Sequence, residues 1–265
     1  MGKQTAGKGI HLAKDDIVTW GDLPAALGLL TRLPVRVEPD AALVRGARAA
    51  WAWPLAGLVV AVMAGLSGAA ALRLGLSPGI AAGLVLAVQI ITTGAMHEDG
   101  LADSADGLWG GWTKPRRLEI MKDSHNGTYG VLALILSVGL RWQALHLLIS
   151  LGWLWPALIL PAMLSRLPMV ALLHALPAAR PDGLGQSVGV PPRNTVVLAT
   201  AIAVATTLLV VGPWALPLAL TVGAVSLGWA NIAMAKIGGQ TGDILGAAQQ
   251  LAEITALLTL LALAS

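Results

Sequence analysis

The sequence predicts an all-α, polytopic integral membrane protein with about seven transmembrane helices and a short N-terminal interfacial or re-entrant helix. Of its 265 residues, 56% are hydrophobic and only 12% are charged, and the mean hydropathy is +0.74. These values are far from those of a soluble domain. Several apolar runs approach the about 20 residues that cross a hydrocarbon core about 30 Å thick. Several of the ten tryptophans lie beside the ends of these runs, where membrane interfaces favour them.

Seven runs are predicted to span the membrane. They cover residues 51–72, 79–96, 128–149, 154–175, 195–212, 214–235 and 244–263. The stretch 23–34, LPAALGLLTRLP, is bounded by prolines and too short to span, so it is expected to be interfacial or re-entrant. The first twenty residues hold no apolar segment of the signal-peptide type. The chain has no cysteine, which excludes disulfides and thiolate chemistry.

The distribution of basic residues predicts the orientation in the membrane. The N-terminal 50 residues carry Lys3, Lys8, Lys14, Arg32, Arg36, Arg45 and Arg48. The even-numbered connections carry Lys114, Arg116, Arg117, Lys122, Arg180, Arg193 and Lys236, and the odd-numbered ones carry only Arg73. By the positive-inside rule the N-terminus is cytoplasmic. Three polar segments, 97–127, 176–194 and 236–243, then emerge on that side, which predicts one site facing the cytoplasm in a multi-pass protein of the cell (inner) membrane.

The segment HEDGLADSADG, residues 97–107, follows an apolar run directly. On a helix, Asp99, Asp103 and Asp106 fall within about 60° of one another, so their carboxylates repel unless a cation neutralises them. Oxygen ligands with one nearby histidine favour Mg²⁺ or Mn²⁺ over Zn²⁺. The alternative is a solvated acidic loop. For His97, hydrogen bonding at the helix start and catalysis both stay open.

The next segment, KPRRLEIMKDSHNGTYG, is predicted to form a short helix between residues 113 and 127. Glu119 and Asp123 stand four positions apart and form a second acidic pair on that helix. The candidate phosphate-binding residues are Arg116, Arg117 and Lys122. The alternative is a cytoplasmic loop with ion pairs within its helix.

The third segment, GGQTGD at 238–243, runs into the last helix and has the form of a phosphate-binding turn. Asp243 is alternatively the N-cap of that helix. Glu253 lies ten residues further along, about 15 Å into the bilayer, where acids mark functional sites by default. Arg141 and Arg166 are the candidates to face it or the aspartate cluster. Alternatively, they extend to the interface or mark a shorter span.

The motifs LLTRLPV, WPLAG, HEDGLADSADG, RRLEIMKDSHNGTYGVLAL, the SR pair at 165–166 and GGQTGDILGA together resemble the cobalamin synthase family, the adenosylcobinamide-GDP ribazoletransferases. They occur in order over almost the whole chain. The chain shows no internal repeat or second domain and is predicted to form a single transmembrane catalytic domain, 1–265. The resemblance implies that it joins adenosylcobinamide-GDP to α-ribazole or α-ribazole 5′-phosphate, releases GMP and uses Mg²⁺. The protein is expected to be embedded in the lipid bilayer and not to bind nucleic acid. Whether the chain forms a homo-oligomer stays open.

Matched to the family's motifs, Asp99, Asp103 and Asp106 fall in its acidic motif, and Asp123 matches the aspartate of its second motif. Gly239, Thr241, Gly242 and Asp243 fall in its C-terminal motif. Combined with the arguments above, the predicted catalytic residues are His97, Asp99, Asp103, Asp106, Asp123 and Asp243. The predicted metal ligands are Asp99, Asp103 and Asp106. The predicted substrate-binding residues are Arg116, Arg117, Glu119, Lys122, Arg166, Gly239, Thr241, Gly242 and Glu253. His125 and Asn126 stand where the family pattern leads us to expect an arginine and an apolar residue.

Two other functions compete with this interpretation. A CDP-alcohol phosphotransferase also holds metal with spaced aspartates on a membrane helix, but its usual pattern is not matched because Asp103 follows Ala102. A cation transporter uses acids at mid-bilayer in several spans, whereas only Glu253 is expected to lie deep here. The general base and the phosphorylation state of the acceptor are not fixed by the sequence.

Overall fold

The computed structural model describes residues 16–265, without the side chains of Ala41 and Leu184. Lys3, Lys8 and Lys14 of the orientation argument, and most of the segment examined for a signal peptide, lie outside this part. The described part contains thirteen α-helices and no named strand, so the all-α prediction is confirmed. The helices are α1 Asp22–Leu30, α2 Pro39–Arg45, α3 Trp53–Arg73, α4 Pro78–Thr93, α5 Met96–Gly110, α6 Lys114–Ile120, α7 Thr128–Ser150, α8 Leu154–Leu164, α9 Arg166–Ala175, α10 Leu184–Val188, α11 Arg193–Val211, α12 Ala215–Ile237 and α13 Gly242–Ala264.

Five helical stretches in residues 16–265 are long and apolar enough to cross a membrane, and six if the bent pair α4 and α5 is one span. One of the five, Arg193–Ile237, has 45 residues. A straight helix of that length extends about 68 Å, more than twice the hydrocarbon core. A 3₁₀ turn at Gly212–Trp214 divides it into α11 and α12, which correspond to the predicted spans 195–212 and 214–235.

The contacts at their ends show that α11 and α12 run in opposite directions. The start of α11 lies beside the end of α9, whereas Trp214, just after α11, stacks on Trp153, just before α8, at 5.4 Å. At the far end of α12, Lys236 Nζ donates to the carbonyl oxygen of Leu108 at 2.8 Å. Each helix therefore makes one traverse of the bundle.

The predicted span 79–96 is wrong at its C-terminal end. Helix α4 ends at Thr93, and Gly94 and Ala95 both take positive φ angles, 64° and 57°. This left-handed pair turns the chain so that α5 leaves at 85° to α4. The acidic segment accordingly begins a new helix inside the bundle.

The predicted N-terminal helix, 23–34, is observed as α1, which ends at Leu30. Its nine residues extend about 14 Å, too short to span. Asp22 at its start is fully buried, and its carboxylate accepts hydrogen bonds from Arg45 Nε at 2.8 Å, Arg45 Nη2 at 2.7 Å and Trp51 Nε1 at 2.8 Å. Burial raises the pKa of Asp22, but these hydrogen bonds, with those from Thr19, outweigh burial and leave the pKa below its usual value.

Helix α13 lies at the centre of the bundle, in contact with α5, α7, α8, α9 and α12. It crosses α5 at Gly100 and Gly246, where a Cβ on Gly100 would lie 2.9 Å from the carbonyl oxygen of Asp243. The two backbones approach this closely because Gly100 has no side chain. The crossing brings the acidic face of α5 next to the start of α13.

Candidate active site

The three polar segments predicted to share one side meet in the structure. The amide of Ala179 donates to the carbonyl oxygen of Gln240 at 2.9 Å, and the amide of Gln240 donates to that of Pro177 at 2.8 Å. A side chain on Gly239 would overlap the Pro177 carbonyl oxygen, so this pairing needs glycine there. Together with the crossing of α5 and α13, the pairing confirms that segments 97–127, 176–194 and 236–243 lie together.

The N-cap of α13 is Thr241, whose Oγ1 accepts a hydrogen bond from the amide of Ile244 at 3.3 Å. The alternative that Asp243 caps the helix is therefore wrong. Asp243 lies within the first turn, and its Oδ2 accepts a hydrogen bond from Thr241 Oγ1 at 3.1 Å and lies 3.4 Å from Arg180 Nη2. Because Thr241 already caps the backbone of α13, the Asp243 carboxylate is not needed as a cap and is available to bind a ligand.

A cavity of about 130 Å³ lies where the segments meet. Its polar lining consists of His97, Asp99, Arg180 and Asp243. Its apolar lining includes Leu29, Leu30, Trp53, Met96, Met169 and Leu173. Sites for whole small molecules measure about 300–1,000 Å³, so this cavity, called the mouth cavity below, is suited to one polar part of a larger substrate.

The three aspartates of α5 have different surroundings. Asp99 is exposed and lines the mouth cavity. Asp103 is half-buried and lies close enough to Asp99 and Asp243 to interact with them electrostatically. Asp106 is buried, and its two carboxylate oxygens accept hydrogen bonds from the amides of Gly127 at 2.7 Å and Gly130 at 2.9 Å. These contacts favour a structural role for Asp106, holding the start of α7, over the metal ligation predicted from the shared stripe.

The carboxylates at the mouth cavity, Asp99 and Asp243, together with nearby Asp103, suit a hard divalent cation. Asp99, Asp103 and Asp243 offer only oxygen atoms and concentrate negative charge. Within residues 16–265, no three His, Asp or Glu side chains lie close enough together to hold a metal ion as they stand. Mg²⁺ is usually held by one or two carboxylates, waters and substrate phosphates rather than by a complete protein cage. The residues therefore fit an ion that binds together with a phosphate, and metal binding stays a prediction.

The predicted helix between residues 113 and 127 is shorter than expected, because α6 ends at Ile120. Met121 is buried against Gly107 of α5, which turns the chain back toward α5. Glu119 and Asp123 therefore do not form the predicted pair on one helix. Asp123 instead contacts His125, with 2.7 Å between Oδ1 and Nδ1. This contact lowers the pKa of Asp123 and raises that of His125.

The basic residues of this segment have protein partners. Exposed Arg116 pairs with Glu119 at 2.8 Å, three positions along α6, as the alternative of an ion-paired loop predicted. Arg117 donates from Nε to the Gly111 carbonyl oxygen at 2.9 Å and from Nη1 to that of Lys236 at 2.8 Å, which joins α6 to α12. Lys122 Nζ pairs with Asp182, on the segment that carries Arg180. None of these basic residues lines the mouth cavity.

A second group of charged side chains lies deeper in the bundle. Arg141 Nη2 contacts Glu98 Oε1 at 2.9 Å, Arg141 Nη1 lies 3.5 Å from Glu253 Oε1, and Arg166 Nη1 lies 3.8 Å from Glu253 Oε2. The four residues are 1–7% exposed. This confirms that Arg141 and Arg166 face Glu253. The expectation that Glu253 alone lies deep is wrong, since Glu98 is buried beside it. With two acids and two arginines, this buried charge cluster has no net formal charge.

Amide and hydroxyl groups complete the cluster. Gln249 donates to Glu253 and to Ser165, and Gln250 donates to Glu98 Oε1 at 3.2 Å. His97 lines both the mouth cavity and a cavity of about 10 Å³ beside the cluster. Glu253 and Arg166 line only the inner one of these two cavities, so the structure does not bring them to the mouth as predicted substrate contacts.

Sequence reasoning missed Arg180 and Glu98. Arg180 counted only as a basic residue in a polar connection, although its position between Pro177 and Pro181 and close to the glycines of DGLG marks an ordered turn. Glu98 precedes Asp99 and fills a variable position of the acidic motif, so no role was predicted for it. The signal for a buried partner was Arg141, a lone charge inside an apolar run.

Known proteins resemble this chain over most of its length. The model of the cobalamin-5-phosphate synthase family matches residues 22–261. The adenosylcobinamide-GDP ribazoletransferase of Bradyrhizobium diazoefficiens is 47% identical, with 89% of this chain and 92% of the relative covered. The enzymes of that name from Allorhizobium ampelinum and Mesorhizobium japonicum are 43% and 39% identical over 89% of this chain and 94% and 91% of their own length. No solved structure matches the chain. The chain belongs to the cobalamin-5-phosphate synthase family.

Proposed function

We propose that this protein joins adenosylcobinamide-GDP to α-ribazole, or to α-ribazole 5′-phosphate, and releases GMP. The relatives that cover nearly the whole chain carry the name of this transferase. The observation that carries the proposal is the meeting of Asp99, Asp243 and Arg180 around one cavity, with Asp103 within electrostatic range of all three. This is a charged site suited to phosphate chemistry at the end of an apolar bundle.

The reaction is a displacement at phosphorus. A ribose hydroxyl attacks the phosphorus that carries the cobinamide, and a new O–P bond forms. The bond from that phosphorus to the bridging oxygen breaks, GMP leaves with the electron pair, and the hydroxyl proton passes to a base. Such transfers depend mainly on positioning and on neutralisation of charge. A bound Mg²⁺ would supply part of that neutralisation and polarise the phosphoryl oxygens.

Three carboxylates of this chain, Asp99, Asp103 and Asp243, would hold the ion beside the phosphates. His97 is the nearest candidate for the base, because it lines the mouth cavity and its Nε2 has no hydrogen-bond partner in the described part of the chain. Trp53 and Met169 also line this cavity and make part of its wall apolar.

The protein is a multi-pass membrane protein, and we propose that the site faces the cytoplasm. Large apolar side chains on the outside of the bundle support embedding in lipid, among them Ile135 and Leu136 of α7, 62% and 64% exposed. An impermeant thiol reagent tests the orientation, because the chain has no native cysteine. Applied to intact cells, it should label Ser77→Cys, in the α3–α4 connection, and spare Ser124→Cys, in the α6–α7 connection. Labelling of Ser124→Cys alone would show that the site faces the opposite side of the membrane.

The two competing functions have less support. The family match is to neither a transporter nor a CDP-alcohol phosphotransferase. The buried charge cluster also argues against cation transport, because Arg141 and Arg166 balance the two acids that a cation would need.

The activity is tested with the full chain in detergent, supplied with adenosylcobinamide-GDP, α-ribazole and Mg²⁺, by measuring GMP. The parent should release GMP and lose activity when the metal is chelated. Asp243→Asn should lose at least tenfold, about 1.4 kcal/mol of transition-state stabilisation, yet stay folded because Thr241 still caps α13. Asp40→Asn, which removes an exposed carboxylate of α2, is the matched control. No GMP from the folded parent would refute the proposal.

A further inference from the structure

Arg180 is held at the mouth cavity by the backbone. The amide of the preceding residue, Ala179, donates to the carbonyl oxygen of Gln240, so the position of Arg180 is tied to the segment that leads into α13. Its side chain is only 14% exposed and lines the cavity together with Asp99 and Asp243.

The guanidinium of Arg180 has hydrogen-bond donors that the described part of the chain leaves unsatisfied. Its Nη1 is buried and has no hydrogen-bond partner among residues 16–265. Its contact with Asp243, 3.4 Å, is longer than the about 2.7–2.9 Å of a strong charge-assisted hydrogen bond. A buried donor without a partner is unfavourable, so this side chain is poised to donate to a ligand that enters the cavity.

The charge around the cavity indicates which ligand. Arg180 is the one lysine or arginine among the described residues that line it, together with the carboxylates of Asp99 and Asp243. A phosphate cannot approach these carboxylates without positive charge beside it, and the planar guanidinium fork matches two phosphate oxygens. We propose that Arg180 is a further substrate-binding residue, which donates to the phosphoanhydride of the GDP-activated donor. This inference rests on the proposed function.

A chemical reason favours the donor over the acceptor as the substrate that Arg180 binds. The phosphorus under attack belongs to the donor, whichever acceptor is used, and it must lie beside the carboxylates that line the cavity with Arg180. The 5′-phosphate of the acceptor is absent from α-ribazole, so a residue that binds it would matter with only one of the two acceptors.

The test compares Arg180→Gln and Arg180→Lys with the parent in detergent, using both acceptors. Arg180→Gln should raise the KM for adenosylcobinamide-GDP at least tenfold with α-ribazole and with α-ribazole 5′-phosphate, and leave the KM of each acceptor unchanged. Arg180→Lys should recover part of the loss, because the charge remains without the fork. Arg193→Gln, at the exposed start of α11, makes the same change in charge and should match the parent.

Binding of GDP, measured by calorimetry in the presence of a chelator, provides a second readout that needs neither metal nor turnover. Arg180→Gln should weaken GDP binding at least tenfold. If the glutamine variant does not fold, Arg180→Lys takes its place in this comparison. An unchanged donor KM, a defect confined to α-ribazole 5′-phosphate, or equal GDP binding by parent and variants would overturn the proposal. A parent that binds GDP but releases no GMP would instead contradict the proposed function, and the GDP comparison would still decide the role of Arg180.

Discussion

Replacing Glu98 by Gln perturbs the buried charge cluster without changing the size of the side chain. In the parent, two carboxylates balance Arg141 and Arg166, and all four residues are buried. In Glu98→Gln, two guanidinium groups face the single carboxylate of Glu253. The neutral amide still accepts a hydrogen bond, so the variant removes mainly charge.

The size of the effect follows from the geometry. At the 2.9 Å that separates Arg141 Nη2 from Glu98 Oε1, unit charges attract by about 6 kcal/mol at an effective dielectric constant of about 20. Mutational experience with buried pairs that lose one partner gives about 3–5 kcal/mol. We expect about 3 kcal/mol, the lower end, because the amide keeps the hydrogen bond. That is a large part of a typical stability of about 5–15 kcal/mol.

Unfolding of the purified protein in mixed micelles, followed by tryptophan fluorescence, measures this loss. Glu119→Gln, which breaks the exposed pair with Arg116, should change nothing measurable. The double variant Glu98→Gln, Arg141→Met leaves one arginine and one glutamate and should recover at least half of the loss. A single variant within about 1 kcal/mol of the parent, or a double variant less stable than Glu98→Gln, would refute the reasoning.

Three further outcomes are expected. Asp106→Asn should lower the free energy of unfolding by about 1–3 kcal/mol, because one of the two backbone donors at the start of α7, the amides of Gly127 and Gly130, loses its acceptor. A shifted Mg²⁺ requirement would instead indicate metal ligation. Gly100→Ala should lower both stability and GMP release, because its Cβ would meet Asp243 at 2.9 Å, whereas Gly246→Ala, with contacts at 3.4 Å, should be milder; equal effects would contradict the crossing. Because the pKa of Asp22 is lowered in the folded protein, its ionised carboxylate stabilises the fold at pH values above the ordinary aspartate pKa of about 3.9. This contribution is lost as the pH falls through the folded-state pKa. Between pH 5 and pH 3 the melting temperature of the parent should therefore fall more than that of Asp22→Asn.

The spans were predictable because a membrane imposes a length and an apolar composition on each helix. The bend between α4 and α5 was not, because it depends on a left-handed alanine, Ala95, and no local rule predicts that conformation for alanine. The early end of α6 at Ile120 was missed for a related reason. It follows from the packing of Met121 on Gly107, a contact between helices and not a property of the segment.

At the site, the acids were predictable because charge at the edge of an apolar run stands out in the sequence. Their division of labour was not. Asp99 and Asp106 are the same residue type on one helix, yet one lines a cavity and the other holds α7. Thr241 and Asp243 are both common capping residues, and only the structure shows which one caps. Arg180 reaches Asp243 across 63 positions of sequence, through a backbone pairing that the pattern of residues does not reveal.

The buried charge cluster and the mouth cavity are joined by α5, on which Glu98 and Asp99 are adjacent. Neutralising Glu98 should therefore displace the aspartates that follow it, and a misplacement of about 1 Å can lower a rate about 100-fold. We expect Glu98→Gln to reduce kcat for GMP release by up to that factor, with KM for the donor unchanged, because Arg180 stays in place. The double variant with Arg141→Met should regain kcat together with stability, since it restores the balance of charge. If stability returns but kcat does not, Glu98 takes part in the chemistry itself and its action through the position of α5 is refuted.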